Sequence, residues 1–280
     1  MRYHPKELDR NISFLFLQKV LAFVFLLLFL HTGIVTGSEA AAEQVLGMPA
    51  SIENETGDTK ADFLFKKPKD FLGFRMGRFF PRADSDVFDM ITRELTLEKS
   101  DFQAWDIGID LGKNVHQKVD LIFSLDYSKQ TKKSEFREFI DEQGLPITQA
   151  TTYSQVPMTA GIRFLPMPRG RQVGEYAWLP SRIVPFVGLG VGILWYQFKQ
   201  DGDFVDVATL EMFHAILESS DFVPTGYISG GADIHLLKSA YLTFDLRYSL
   251  ANHELDQDFV GFDPIDLSGL RLTAGVHWHF

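Results

Sequence analysis

Ten charged residues recur at alternate positions among apolar neighbours: Arg75, Arg163, Arg247 and Arg271 against Asp106, Asp110, Asp120, Asp126, Asp233 and Asp245. In an extended chain that spacing turns each charge away from the apolar face. The chemistry such a set offers is ion pairing, forked guanidinium donors on carboxylate acceptors inside a wall that excludes water. His277 and His279 stand two apart, on one strand face, with His235 and Asp233 on another strand. Two histidines so spaced are a workable metal-ligand geometry. A further strand separates them from Asp233, so the expectation is neutral imidazoles at the mouth of an enclosed sheet and no metal. Gly188-Leu-Gly-Val-Gly192 reads G-x-G-x-G inside a strand with no helix after it, which excludes a dinucleotide loop and leaves glycines that make room for bulky neighbours. A Ser/His/acid hydrolase acting on lipid would need its histidine on the lipid side. Parity turns His277 and His279 inward, so no catalytic residue and no cofactor is assigned.

The elements that must position these residues are strands. Trp105, Ile107, Ile109 and Leu111 alternate with polar or small residues, as do Val119–Tyr127, Val156–Phe164, Val187–Trp195, Leu242–Leu250 and Leu270–Phe280. Leu72–Phe80 and Phe222–Leu236 complete a set of eight. Period two over such lengths predicts an all-β fold, an eight-stranded antiparallel up-and-down transmembrane β-barrel.

Three features favour a membrane barrel over a soluble one. The polar face carries both signs of charge, as an ion-paired lumen would. Phe80, Trp105, Tyr127, Trp195, Phe222 and Tyr248 fall on the apolar face near one end of the sheet, where a headgroup girdle belongs. Connections alternate in length: residues 81–101, 129–151, 199–221 and 251–266 are long, while 113–117 and 237–239 are short. Residues 166–182 break the pattern, being long on the short-turn side. Within the long set, 129–142 suits strands continuing above the membrane. Residues 207–220 place Leu210, Phe213, Ile216 and Leu217 at the spacing of an amphipathic helix. Pro157 and Pro224 each delete a ladder donor, which keeps open a path for ligand between strands.

Residues 1–42 read as a cleaved signal: Arg2, Lys6, Arg10 and Lys19, then the apolar run Val20–Leu30, then small residues through Ala42. Eleven apolar residues fall short of a spanning helix, which needs about 20. Residues 43–69 are a flexible periplasmic lead-in and 70–280 the barrel. Without residues 1–42 the chain holds 23 Lys/Arg (27 less 4) and 34 Asp/Glu (37 less 3), a net charge of −11. Such acidity excludes a nucleic-acid partner. The absence of cysteine removes disulfides, thiol nucleophiles and thiolate metal sites.

The terminal Leu270-x-Leu-x-Ala-x-Val-x-Trp-x-Phe280 resembles the C-terminal sorting signal of Gram-negative outer-membrane barrels, with Leu272, Trp278 and Phe280 as its signature. Gln155–Phe164 and Val184–Gly192 resemble the middle strands of the small OmpA/OmpX/OmpW-like barrel superfamily. The resemblance covers roughly residues 70–280 and implies the cell outer membrane, contact with its lipids, and recognition by the barrel-assembly machinery. An even strand number then sets both termini in the periplasm. That superfamily includes anchors, adhesins, lipid-modifying enzymes and small-molecule channels, so fold does not select function. The expectation is a non-enzymatic barrel serving envelope integrity, surface contact or passage of small apolar molecules, its ligand unassigned. The alternative is a lipid A or phospholipid hydrolase.

Overall fold

The computed structural model describes residues 64–65, 67–140, 144–173, 177–205, 212–255, 257–259 and 261–280. The expected signal and the lead-in up to residue 63 lie outside the described residues. In chain order the elements are β1 (Asp70–Pro81), α1 (Asp86–Glu94), a 3-10 turn (Lys99–Phe102), β2 (Ala104–His116), β3 (Val119–Ile140) and β4 (Pro146–Phe164). There follow β5 (Gly170–Val173), β6 (Ala177–Pro180), β7 (Ile183–Val205), β8 (Met212–Leu237), β9 (Ala240–Leu250), β10 (Asn252–His253), a 3-10 turn (Gln257–Phe259), β11 (Ile265–Asp266) and β12 (Gly269–His279).

Eight of these strands close into one ring in the order β1-β12-β9-β8-β7-β4-β3-β2. Every pair is antiparallel, and β12 seals the ring by pairing with β1 from Phe71↔His279 to Pro81↔Gly269. The expected up-and-down barrel is the fold. Closure gives every strand a partner on both sides and leaves no open edge in lipid.

Alternation sorts the side chains. Phe74, Met76, Ile107, Leu121, Ile162, Leu189, Val191, Ile228, Leu246 and Leu272 lie exposed on the outer wall. So much contiguous apolar surface is unfavourable in water and matched to acyl chains. No helix among the described residues is long and apolar enough to cross a membrane; the strands do so.

The end holding both strand termini is tight. Phe280 N–H donates to Asp70 O at 2.9 Å and Lys69 N–H to Phe280 O at 2.9 Å. There β2 joins β3 and β8 joins β9 through two residues each, while β4 joins β7 through the small β5–β6 hairpin. That hairpin is the element inside the anomalous 166–182 connection. Leu64, expected in a flexible segment, pairs with Trp178 in an isolated antiparallel bridge, so the lead-in is tethered at that residue.

At the opposite, loop end, β3, β4, β7 and β8 run 22, 19, 23 and 26 residues. Crossing lipid takes about 9–11 residues per strand, so these four continue as a sheet above the barrel. One expectation is corrected here. Residues 212–220 form no helix: they belong to β8 and pair with β7 from Val205↔Met212 to Gln197↔Ser220. Phe213 and Ile216 are exposed while Leu217 packs on the loop-end core. A continuous ladder outcompetes a short helix whose nucleus is costly. Residues 206–211, including Leu210, lie outside the described residues.

The 81–101 connection holds α1, which opens at Ser85 with Asp86 and Asp89 in its first turn and Arg93 in its last, matching the helix dipole. Val87, Phe88 and Ile91 form its buried face. Phe88 meets Tyr153 of β4 and Phe198 of β7 edge-on at 5.8 and 5.6 Å. With Phe79, Leu95, Leu97, Phe102, Tyr196, Val223, Phe259, Ile265 and Leu267, these side chains make an apolar core over the loop-end mouth.

Candidate functional site

The barrel interior is filled in layers. All ten charged residues singled out above are buried within it. Nearest the apolar core, Arg271 of β12 pairs with Asp106 of β2 at 3.2 Å and donates to Ser249 Oγ at 2.9 Å and Gln155 Oε1 at 2.7 Å. Its guanidinium lies 4.2 Å from the Phe79 ring centroid, where the polar and apolar layers meet.

The central layer turns on Arg75. Its Nε stands 2.7 Å from Asp110 Oδ2, its Nη2 2.8 Å from Asp126 Oδ1, and its Nη1 donates to Thr273 Oγ1 at 3.2 Å. Arg247 pairs with Asp126 at 3.3 Å and Asp245 at 3.6 Å. Arg163 pairs with Asp245 at 3.2 Å and Asp110 at 3.5 Å. Each carboxylate therefore faces more than one guanidinium, the arrangement that makes burying such charges tolerable. Glycine supplies the room: a Cβ on Gly190 would fall 2.5 Å from the Tyr227 ring. That ring lies 4.4 Å beneath the Arg247 guanidinium.

Sequence reasoning missed the principal residue of the third layer, at the terminal end. Arg169 precedes β5 and reaches into the lumen, pairing with Asp120 at 2.5 Å and Asp233 at 2.6 Å. A signal for it existed: six carboxylates faced only four guanidiniums, and the unexplained 166–182 segment carried spare arginines. Asp120 also accepts from Asn114 Nδ2 at 2.8 Å, and Asp233 from Thr243 Oγ1 at 2.8 Å. His277 lies 3.2 Å from Asp110, and His279 Nε2 3.2 Å from Arg169 Nη1. The Phe71 ring stacks against both imidazoles, at 5.0 and 4.9 Å between centroids. His235 lies apart at the β8–β9 turn, its Nε2 3.0 Å from Lys238 O. Asp233, His277 and His279 are thus close together, although β9 runs between their strands.

On the outer wall, Leu272, Trp278 and Phe280 are all exposed. Trp195 and Phe222 pair directly across β7 and β8, and Trp105 sits between Arg78 and Lys129 in register. The Arg78 guanidinium lies 5.1 Å from the Trp105 ring centroid, an aromatic-basic row suited to the headgroup layer.

A closed ring of eight antiparallel strands, apolar outside and ion-paired inside, defines a small transmembrane β-barrel. No protein-family model and no curated protein matches the chain. Among solved structures it is similar to the outer membrane protein OprG from Pseudomonas aeruginosa, at 14% identity over 76% of this chain and 97% of that one, TM-score 0.42. Neisserial surface protein A is similar at 11% identity over 75% and 96%, TM-score 0.40. Ail of Yersinia pestis, in complex with the heparin analogue sucrose octasulfate, is similar at 12% identity over 76% and 99%, TM-score 0.36. The class assignment rests on the strand ring and its apolar wall, not on these likenesses.

Proposed function

We propose that the chain is a non-enzymatic outer-membrane barrel, both termini in the periplasm, that holds a rigid sheet above the membrane for surface contact. The observation that carries this reading is the packed interior: an apolar core, the Arg75 and Arg271 ion-pair layers and the Arg169 layer lie one above another. An eight-stranded ring is only wide enough for side chains, and these charges are committed to one another rather than to a solute path. Above the lipid, the extended β3 and β4 present Lys133 and a Thr131–Thr152 hydroxyl pair at 2.9 Å to solvent. Planar-bilayer recording of the purified barrel tests the reading. No unitary current steps are expected, and a sustained ion-conducting state would overturn it.

Passage of small apolar molecules is a second reading with one observation behind it. The β3–β4 ladder is unpaired between Leu125↔Met158 and Ser128↔Gln155, where Pro157 has no N–H to donate. Pinning that gap with a Tyr127→Cys/Val156→Cys disulfide should abolish uptake of a small apolar probe if the path is used. Unchanged uptake would remove this reading. The hydrolase alternative requires altered lipid acyl profiles on deletion; His277 and His279 are both committed inside the lumen, away from lipid.

A further inference from the structure

Asp233 of β8 and His277 and His279 of β12 each bring one ligand atom within 4.8 Å of the other two, and all three side chains are buried. His277 Nδ1 faces Asp233 Oδ1 at 3.9 Å with no hydrogen-bond partner, while Nε2 of the same wholly buried ring stands 3.2 Å from Asp110 Oδ2. A buried polar group so placed is costly unless a ligand satisfies it. His279 Nε2 stands 3.2 Å from Arg169 Nη1. A guanidinium only donates, so this nitrogen accepts and aims its lone pair into the cluster.

We propose that Asp233, His277 and His279 form a site for a divalent transition-metal ion such as Zn2+, and that the Arg169 guanidinium occupies it in the present state. Two imidazole nitrogens and one carboxylate oxygen, with water in the fourth position, are a recurrent zinc ligand set. The groups that orient metal ligands are already in place. Asp110 Oδ2 lies 3.2 Å behind His277 Nε2, and Thr243 Oγ1 donates to Asp233 Oδ1, leaving Oδ2 for the ion. Phe71 and Tyr241 wall the two rings.

Exchange of guanidinium for metal keeps Asp233 neutralised and takes the paired cation from Asp120, a loss that favours the present state and keeps the vacated one minor. Asp233 trades one cation for another, and Asp120 keeps its hydrogen bond from Asn114. Arg169 has somewhere to go: a cavity of about 320 Å³ beside it, lined by Lys67, Asn114, Gln117, Pro168 and Trp178, opens at the terminal end. The same cavity is the ion's way in.

Titration of the purified full-length barrel with ZnCl2 by calorimetry, and with CoCl2 by visible absorption, tests the proposal, with heat-modifiable gel migration checking the fold. If the vacated state is populated at about 10% or less, Arg169→Ala binds Zn2+ about tenfold tighter than wild type or more. Arg169→Gln should behave alike, and His279→Gln in either background should weaken binding by at least about tenfold. Folded Arg169 variants that bind no tighter than wild type, or binding indifferent to His279→Gln, overturn the proposal. Should both Arg169 variants fail to fold, the wild-type barrel decides. Cobalt bands lost in His279→Gln support the site, and none up to millimolar Co2+ refutes it.

Discussion

Replacing Arg75 with Met is the sharpest test of the ion-paired interior. The substitution keeps a long apolar stem but removes the guanidinium that bridges Asp110 and Asp126. Both carboxylates retain a second cation, Arg163 at 3.5 Å from Asp110 and Arg247 at 3.3 Å from Asp126. The expected loss is therefore that of one broken buried pair, about 3–5 kcal/mol, and not twice that figure. Adding Asp110→Asn removes part of the stranded charge, so the double variant should lose less than the sum of the singles, with a coupling of about 0.5–3 kcal/mol. Urea unfolding in lipid vesicles, followed by tryptophan fluorescence and gel migration, reads all three. Arg93→Ala is the control: its pair with Glu94 at 2.9 Å is exposed, and its loss should stay under about 1 kcal/mol. An Arg75→Met barrel as stable as Arg93→Ala would refute the view that the layers hold the barrel shut.

Packing, pH and depth supply three further tests. A Cβ on Gly112 would stand 2.0 Å from the Phe71 ring, so Gly112→Ala should cost about 1–3 kcal/mol in the same unfolding assay and perturb the neighbouring imidazole signals in NMR spectra. The Lys132 hydrogen bond to Asp101, at 2.7 Å, holds that carboxyl below its ordinary value. The stabilisation is fully present above the unfolded-state value, about 3.9, and is lost as pH falls through the depressed one. Amide protection factors around the Lys99–Phe102 turn should therefore fall at low pH in wild type more than in Asp101→Asn; equal falls would dismiss the pair. Single-tryptophan variants keeping Trp105 or Trp278 should be quenched by brominated lipid, since both rings face outward at opposite ends of the wall. Failure of quenching at either site would place that end of the wall outside the lipid.

Alternation made the strand ring legible, because one parity rule decides the facing of every residue along a strand. The register Arg75↔Gly275 or Asp120↔Arg163 then follows once the order of strands is known. What resisted reading lies where period two ends. Phe213, Ile216 and Leu217 fit a helical stripe as well as a strand, and only the β7 ladder decides between them. The nine residues of α1 make only about two and a half turns, so the stripe of Val87, Phe88 and Ile91 is too short to mark the helix until Phe88 is seated between Tyr153 and Phe198. Arg169 meets partners 49 and 64 residues away. No local spacing encodes such a pairing; charge balance inside the barrel is the one property that hints at it.

The seal between the first and last strands sets the order of events in assembly. Asp106 and Arg271 are 165 residues apart in sequence, and Arg75 and Thr273 are 198 apart. These partners meet only when β12 docks on β1. Contacts so distant must be preceded by a large loss of chain entropy, which makes barrel closure a slow step. An open sheet at that stage leaves backbone N–H and C=O groups unpaired along its free edges, which lipid disfavours until the final strand arrives. A β12 shifted by one residue would turn Arg271 from Asp106 toward the lipid, so the buried pair favours a single register of closure.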